Sequence, residues 1–196
     1  MRNMMHLASG ININPILLEL KNNPHLWNEN NIRTKHPTSP HHGLDDIFVR
    51  YSPPDLIPDD VYDHMEKIKA PHEYVWYDSA NYLPSVKAMA YEVMHMVKGE
   101  RLGGILITRI PAGKECTPHA DVGSWQAEYF DKYALQIESS PEQAFCFDGE
   151  SFSANPGDLY WFYNQNEHWV TNASNYDRIT VIFCIRTNKK DKFNTF

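Results

Sequence analysis

The sequence is short of cysteine, short of basic residues and without a long apolar run, and each shortage removes a class of protein. Cysteine occurs three times, at Cys116, Cys146 and Cys184. An odd number at wide spacing offers neither a disulfide framework nor a zinc-site pattern. The thiols are therefore expected to be reduced, which fits a cytoplasmic setting. Lysine and arginine total 18 against 25 aspartates and glutamates, a formal net charge of −7. A phosphate-backbone partner needs clustered cations, and the one basic cluster, Lys189, Lys190 and Lys192, reads as a solvated end. No window approaches the roughly 18 apolar residues of a membrane span. The opening stretch MRNMMHLASGININPILLEL lacks the apolar segment of a signal peptide. Neither nucleic acid nor membrane is an expected partner. No internal repeat or long low-complexity tract is visible.

What is there suits one globular domain. The chain has 196 residues, 42% hydrophobic and 22% charged, enough to bury a core without staples. Residues 1–45 show little periodicity, and Lys21 to Asp45 is rich in Asn, His and Pro, so it reads as irregular loop. Asp46 to Tyr51 (DIFVRY) has strand character and ends at Ser52-Pro53-Pro54. Val86, Met89, Ala90, Val93 and Val97 share one face of a helix over 84–98, with Pro84 in its first turn and Gly99 just past its end. From Gly104 onward the pattern changes to short apolar or alternating runs. They are Ile105–Ile110, Tyr133–Ile137, Ala144–Phe147, Asp158–Tyr163, His168–Thr171 and Ile179–Ile185, punctuated by turn residues such as Asn155-Pro156-Gly157. Short strands at near-regular spacing predict a mainly β fold, a sandwich or jelly roll. We expect a single domain with an N-terminal α-containing cap over 1–100, a jelly-roll core over 101–188 and a tail over 189–196.

The chemistry-bearing residues begin with Thr117-Pro118-His119-Ala120-Asp121. In extended chain, positions i and i+2 point the same way, so His119 and Asp121 can offer an imidazole nitrogen and a carboxylate oxygen to one ion. His168 opens a later predicted strand that a jelly roll can lay beside them. Two histidines and a carboxylate on one face, with positions open opposite, is the ligand set of non-haem iron(II) oxygenases. The bland alternatives are an exposed loop histidine beside a turn aspartate, and a strand histidine that is merely hydrogen-bonded. Arg178, ten residues after His168, opens the apolar strand ITVIFCI. A buried guanidinium there needs a partner, and a carboxylate is the best one; the alternative is an exposed arginine paired with Asp177 or Asp158.

Taken together, HxD, a distal His and an Arg ten positions on resemble the 2-oxoglutarate/Fe(II) dioxygenases. The nearest likeness is to their aspartyl/asparaginyl β-hydroxylase-like branch. The segments RIPAGKECTPHAD, FDGESFSANPGDLYWF and HWVTNASNYDRITVIF carry it, over roughly residues 103–187. The resemblance implies a cupin-like double-stranded β-helix in which His119, Asp121 and His168 bind Fe(II). Arg178 would hold the distal carboxylate of 2-oxoglutarate, and Thr108 would supply a hydroxyl to the same cosubstrate. The implied reaction is hydroxylation of a protein side chain or a small amino-acid-like molecule, with release of succinate and carbon dioxide. Two features depart from the branch. Its aspartyl β-hydroxylases proper lack the metal carboxylate that Asp121 provides here. The branch's Arg-x-His on the following strand is replaced by Lys132-Tyr133-Ala134, leaving Lys132 or Gln136 to take over the missing histidine's part.

Three other readings share some of these residues. A cupin-like metalloenzyme would keep the triad without needing Arg178. A non-catalytic jelly-roll module would use Trp161, Tyr163 and Trp169 as stacking platforms. An oxygenase relative that has lost cosubstrate binding would fit the absent histidine. His36, His41, His42, Arg50 and Trp125 are candidates for a lid or pocket rim, with plain solvated loop residues as the alternative. Neither the substrate's identity nor an oligomeric state is written in these residues.

Overall fold

Alternation along the strands builds this fold. In a computed structural model that describes residues 3–54, 73–122 and 129–188, the eleven strands form two antiparallel sheets. The elements run β1 (Met4–Ala8), α1 (Asn14–Asn22), β2 (Asp45–Tyr51), β3 (Val75–Trp76), α2 (Ser79–Tyr82) and α3 (Pro84–Met96), then β4 (Gly99–Ile110) and β5 (Glu115–His119). They continue with β6 (Asp131–Glu138), β7 (Gln143–Phe147), β8 (Glu150–Phe152), β9 (Leu159–Phe162), β10 (His168–Asn172) and β11 (Arg178–Thr187). The larger sheet has the order β1-β9-β6-β11-β4-β2-β3, and the smaller β5-β10-β7-β8. The two sheets form the double-stranded β-helix, or jelly roll, expected from the strand spacing.

The larger sheet is buried on both faces, which is why its strands read as near-continuous apolar runs. Odd-numbered side chains such as Leu135, Ile137, Val181, Phe183, Ile105 and Ile107 join one core with Ile16 and Leu20 of α1 and Val86, Ala90 and Val93 of α3. Even-numbered neighbours, including Ala134, Tyr160, Phe162 and Ile110, join a second core between the sheets with Phe145, Phe147 and Val170. The helices thus cover the outer face, and the inner face is left to line a cavity.

Two expectations change. The N-terminal segment is more than a loop and helical cap: β1 is an edge strand of the larger sheet, paired with β9, and β2 lies beside β4. A five-residue strand whose partner lies far along the chain has too little pattern to announce itself. Gly99 does not follow the helix end; Lys98 takes the left-handed conformation there (φ 52°) and Gly99 begins β4. A β-carbon at 99 would collide with Ile185 and Met94, so the glycine serves close packing. Gly157 meets both demands, with φ +87° and the Ile11 carbonyl oxygen 2.8 Å from where a β-carbon would sit. Its own carbonyl accepts from Ile11 N–H at 3.1 Å, tying the N-terminal segment to the jelly roll.

Candidate metal centre

The three predicted ligands converge. His119 ends β5 and His168 begins β10, and the two residues sit directly opposite each other in register. Asp121 follows two residues later, its backbone N–H fixed to Asn164 O at 2.8 Å. His119 Nε2 lies 4.0 Å from Asp121 Oδ1, and His168 Nε2 lies 3.9 Å from Asp121 Oδ2. One ligand atom from each residue falls within 4.8 Å of the other two, a spacing one ion can bridge with small side-chain adjustments.

The imidazoles are oriented for that role. His119 Nδ1 donates to Thr117 O at 2.8 Å, and His168 Nδ1 donates to Asn166 O at 2.8 Å. Each bond places the ring proton on Nδ1 and turns the Nε2 lone pair toward Asp121, the outer-sphere support metal-binding histidines use. His168 stacks on Phe145 with ring centroids 5.5 Å apart and planes 10° off parallel. Burial lowers the pKa of His119 and brings that of His168 down to about 4, outweighing the nearby Asp121 charge. Both rings are therefore neutral near pH 7, as ligation requires. Asp121 is pushed up by burial but pulled further down by the Lys132 ammonium and the two imidazoles, to about 2.

The centre opens onto a cavity of about 350 Å³ between the sheets. Period-two alternation puts Thr108, Lys132, Tyr160, Arg178 and Thr180 on its wall. Arg178 is 5% exposed. Its Nη1 donates to Thr180 Oγ1 at 2.7 Å and its Nη2 to Tyr160 Oη at 3.0 Å. Among the described residues no carboxylate pairs with it. Asp177 lies beside Arg109, and Asp158 accepts from Ser9 and Asn155, so neither alternative partner is engaged. Thr108 lines the cavity, but its hydroxyl donates to Asp46 Oδ1 at 2.8 Å. The hydroxyls at the guanidinium belong instead to Thr180 and Tyr160, which sequence reading missed. Thr180 could have been found, as the one polar residue two places beyond Arg178 on the same strand face.

Of the two residues considered in place of the absent histidine, Lys132 reaches the centre and bonds Asp121 Oδ2. Gln136 does not line the cavity; it donates to Glu138 O and Ile179 O and accepts from Thr180. Of the rim candidates, His41 lines the cavity. Pro40 O accepts from Thr117 N–H at 3.0 Å and holds the 28–44 loop against β5. Arg50 is used elsewhere, donating to the Leu102 and Gly103 carbonyls between Tyr74 and Trp76. His36 and His42 do not line it, and Trp125 lies outside the described residues.

A second cluster, His41, Cys116 and His119, also brings ligand-type atoms within 4.8 Å. Its protons are arranged against coordination. Arg33 donates to His41 Nε2 at 2.8 Å, which leaves the proton on Nδ1, facing Cys116 Sγ at 3.3 Å. His119 Nδ1 carries its own proton toward Thr117 O. Burial pushes the Cys116 thiol up to about 12, so the sulfur is a thiol acceptor and no thiolate.

By sequence, no protein-family model and no curated protein matches the chain. By structure it resembles an oxidoreductase of the 2OG-Fe(II) oxygenase family from Burkholderia pseudomallei. The TM-score is 0.61 at 11% identity, over 94% of this chain and 85% of that one. It also resembles a prolyl-4-hydroxylase from Pseudomonas putida, with TM-score 0.54 at 11% identity over 95% and 93% of the two chains. At such identities the likeness is one of fold: the chain shares the double-stranded β-helix on which 2-oxoglutarate oxygenases are built. Among the described residues no helix is long and apolar enough to cross a membrane.

Proposed function

We propose that this chain is an Fe(II)- and 2-oxoglutarate-dependent oxygenase that hydroxylates an amino-acid-like group, either on a peptide or protein or as a small molecule. One observation carries the reading. A preoriented two-histidine, one-carboxylate site shares its cavity with a buried arginine that no carboxylate neutralises among the described residues. A buried guanidinium is costly without an anion, and a dicarboxylic cosubstrate chelating the metal would bring one. A metal-binding cupin without such a cosubstrate would have no use for Arg178.

In this reading His119, Asp121 and His168 hold the ion on one face and leave its other positions toward the cavity. When bound, Fe(II) with 2-oxoglutarate and dioxygen supplies the oxidation of a C–H bond, giving succinate and carbon dioxide. Arg178 grips the distal carboxylate, with Thr180 and Tyr160 fixing the plane of its guanidinium. Thr108 serves the same wall by securing Asp46 rather than by meeting the cosubstrate. The aromatic side chains Phe145, Tyr160 and Phe162 keep the cavity floor dry. The Asn155-Pro156-Gly157 turn before an aromatic strand and the Asn172-to-Arg178 run support placement in the aspartyl/asparaginyl β-hydroxylase-like branch. The test is anaerobic titration of the purified chain with Fe(II) and then 2-oxoglutarate. A visible absorption band of the chelate is expected, and folded protein that binds Fe(II) without developing the band would refute the reading.

A further inference from the structure

Lys132 stands where an ion would compete with it. It is the second residue of β6, and alternation puts Lys132, Ala134 and Gln136 on the inner face of the larger sheet. Those three pair in register with Cys184, Ile182 and Thr180 of β11. The Lys132 ammonium reaches Asp121 Oδ2, the oxygen that also faces His168. The other charged groups on the cavity wall are Arg33, Asp121 and Arg178. Arg33 lies beside the buried Asp46, 3.3 Å away, so Asp121 alone compensates Lys132 among the described carboxylates lining the cavity. A metal dication arriving at Asp121 takes the same carboxylate and repels the ammonium. Arg178, bonded to Thr180, marks the opposite end of this inner stretch. Between the ends, Ile182 and Cys184 of β11 line the cavity.

We propose that Lys132 couples the binding of metal to the binding of an anion. It neutralises Asp121 while the site is empty, and turns to the ligand carboxylate beside the ion once the ion has come. The inference rests on the oxygenase reading for the identity of that anion, but not for the lysine's competition with metal. Metal alone is opposed by the ammonium, whereas metal with 2-oxoglutarate gives it a new partner. The two ligands therefore help each other bind.

The experiment measures Mn(II) affinity, without turnover, in the absence and presence of saturating 2-oxoglutarate or oxalate. Wild type, K132M, K132Q and K132R are compared, with circular dichroism to verify the fold. In wild type 2-oxoglutarate is expected to tighten Mn(II) by at least about tenfold. K132M and K132Q are expected to bind Mn(II) alone about tenfold more tightly than wild type, with the gain from 2-oxoglutarate falling below about threefold. K132R keeps the coupling. Folded K132M and K132Q that bind Mn(II) alone no better than wild type overturn the proposal, as does coupling of undiminished size in either. Coupling to oxalate but not to 2-oxoglutarate, lost in K132M, upholds the lysine's role and retires the oxygenase reading. Coupling to neither anion in wild type overturns the lysine's role while leaving the metal site in place.

Discussion

Replacing Arg178 with methionine tests the proposed cosubstrate anchor separately from the proposed metal site. The guanidinium has five N–H donors, and two of its nitrogens already serve Thr180 and Tyr160. The donors left over can make two charge-assisted bonds to a carboxylate, each worth roughly 1.5–2 kcal/mol when buried. Their loss amounts to about 3–4 kcal/mol, or between a hundredfold and a thousandfold in 2-oxoglutarate affinity. Folding should barely notice. Methionine leaves the Thr180 and Tyr160 hydroxyls without their donor, at about 1 kcal/mol each, and removal of the buried charge offsets that loss. The melting temperature should move by no more than about 4 °C. The assay is anaerobic Fe(II) titration followed by 2-oxoglutarate titration, read from the chelate band, with thermal melting alongside. R178M that binds 2-oxoglutarate within about threefold of wild type would refute the assignment of Arg178 as the cosubstrate anchor. A collapse of Fe(II) affinity in folded R178M would show that the arginine acts on the metal itself.

Further expectations follow from the same contacts. T180V removes the hydroxyl that holds Arg178 Nη1 and should weaken 2-oxoglutarate binding by about 1 kcal/mol, some fivefold, with metal affinity unchanged by calorimetry. Metal-free stability should fall on acidification. The unfolded chain protonates His168 near 6.5, the folded chain only near 4, so stability is full above that window and is lost as pH falls through it. The loss for this residue is at most about 3 kcal/mol, and H168F should show a correspondingly flatter dependence of melting temperature on pH. Parallel curves for the two proteins would count against a buried neutral His168. G157A forces a β-carbon onto the Ile11 carbonyl at a left-handed position and should cost about 1–3 kcal/mol in denaturant melts.

The triad was legible because each member left a local mark. His119 and Asp121 stand two apart in extended chain, and His168 begins an aromatic strand after a polar loop. Arg178 showed itself as a charge opening an apolar run. What was not legible depends on the sheet. That Tyr160 meets Arg178 follows from β9 lying two strands from β11, across β6, and no feature of LYWF states that neighbour. Thr108 and Thr180 are cross-strand partners, so sequence reading chose the right layer of the wall but the hydroxyl that Asp46 takes. Lys132 reached Asp121 as one of two options, and only strand register separates it from Gln136. β1 stayed hidden because an edge strand with one buried methionine carries almost no periodic signal.

The alternation that divides β11 between two faces makes this strand intolerant of error in a particular way. Ile179, Val181 and Phe183 grip the helices, while Arg178, Thr180 and Ile182 look onto the cavity. Pairing displaced by a single position would exchange the two sets, burying a guanidinium among the valines of α3 and turning Ile179, Val181 and Phe183 onto the cavity. Misfolded chains of that kind would be unstable as well as unable to form the cavity wall, so quality control that removes unstable protein would also clear chains without that wall.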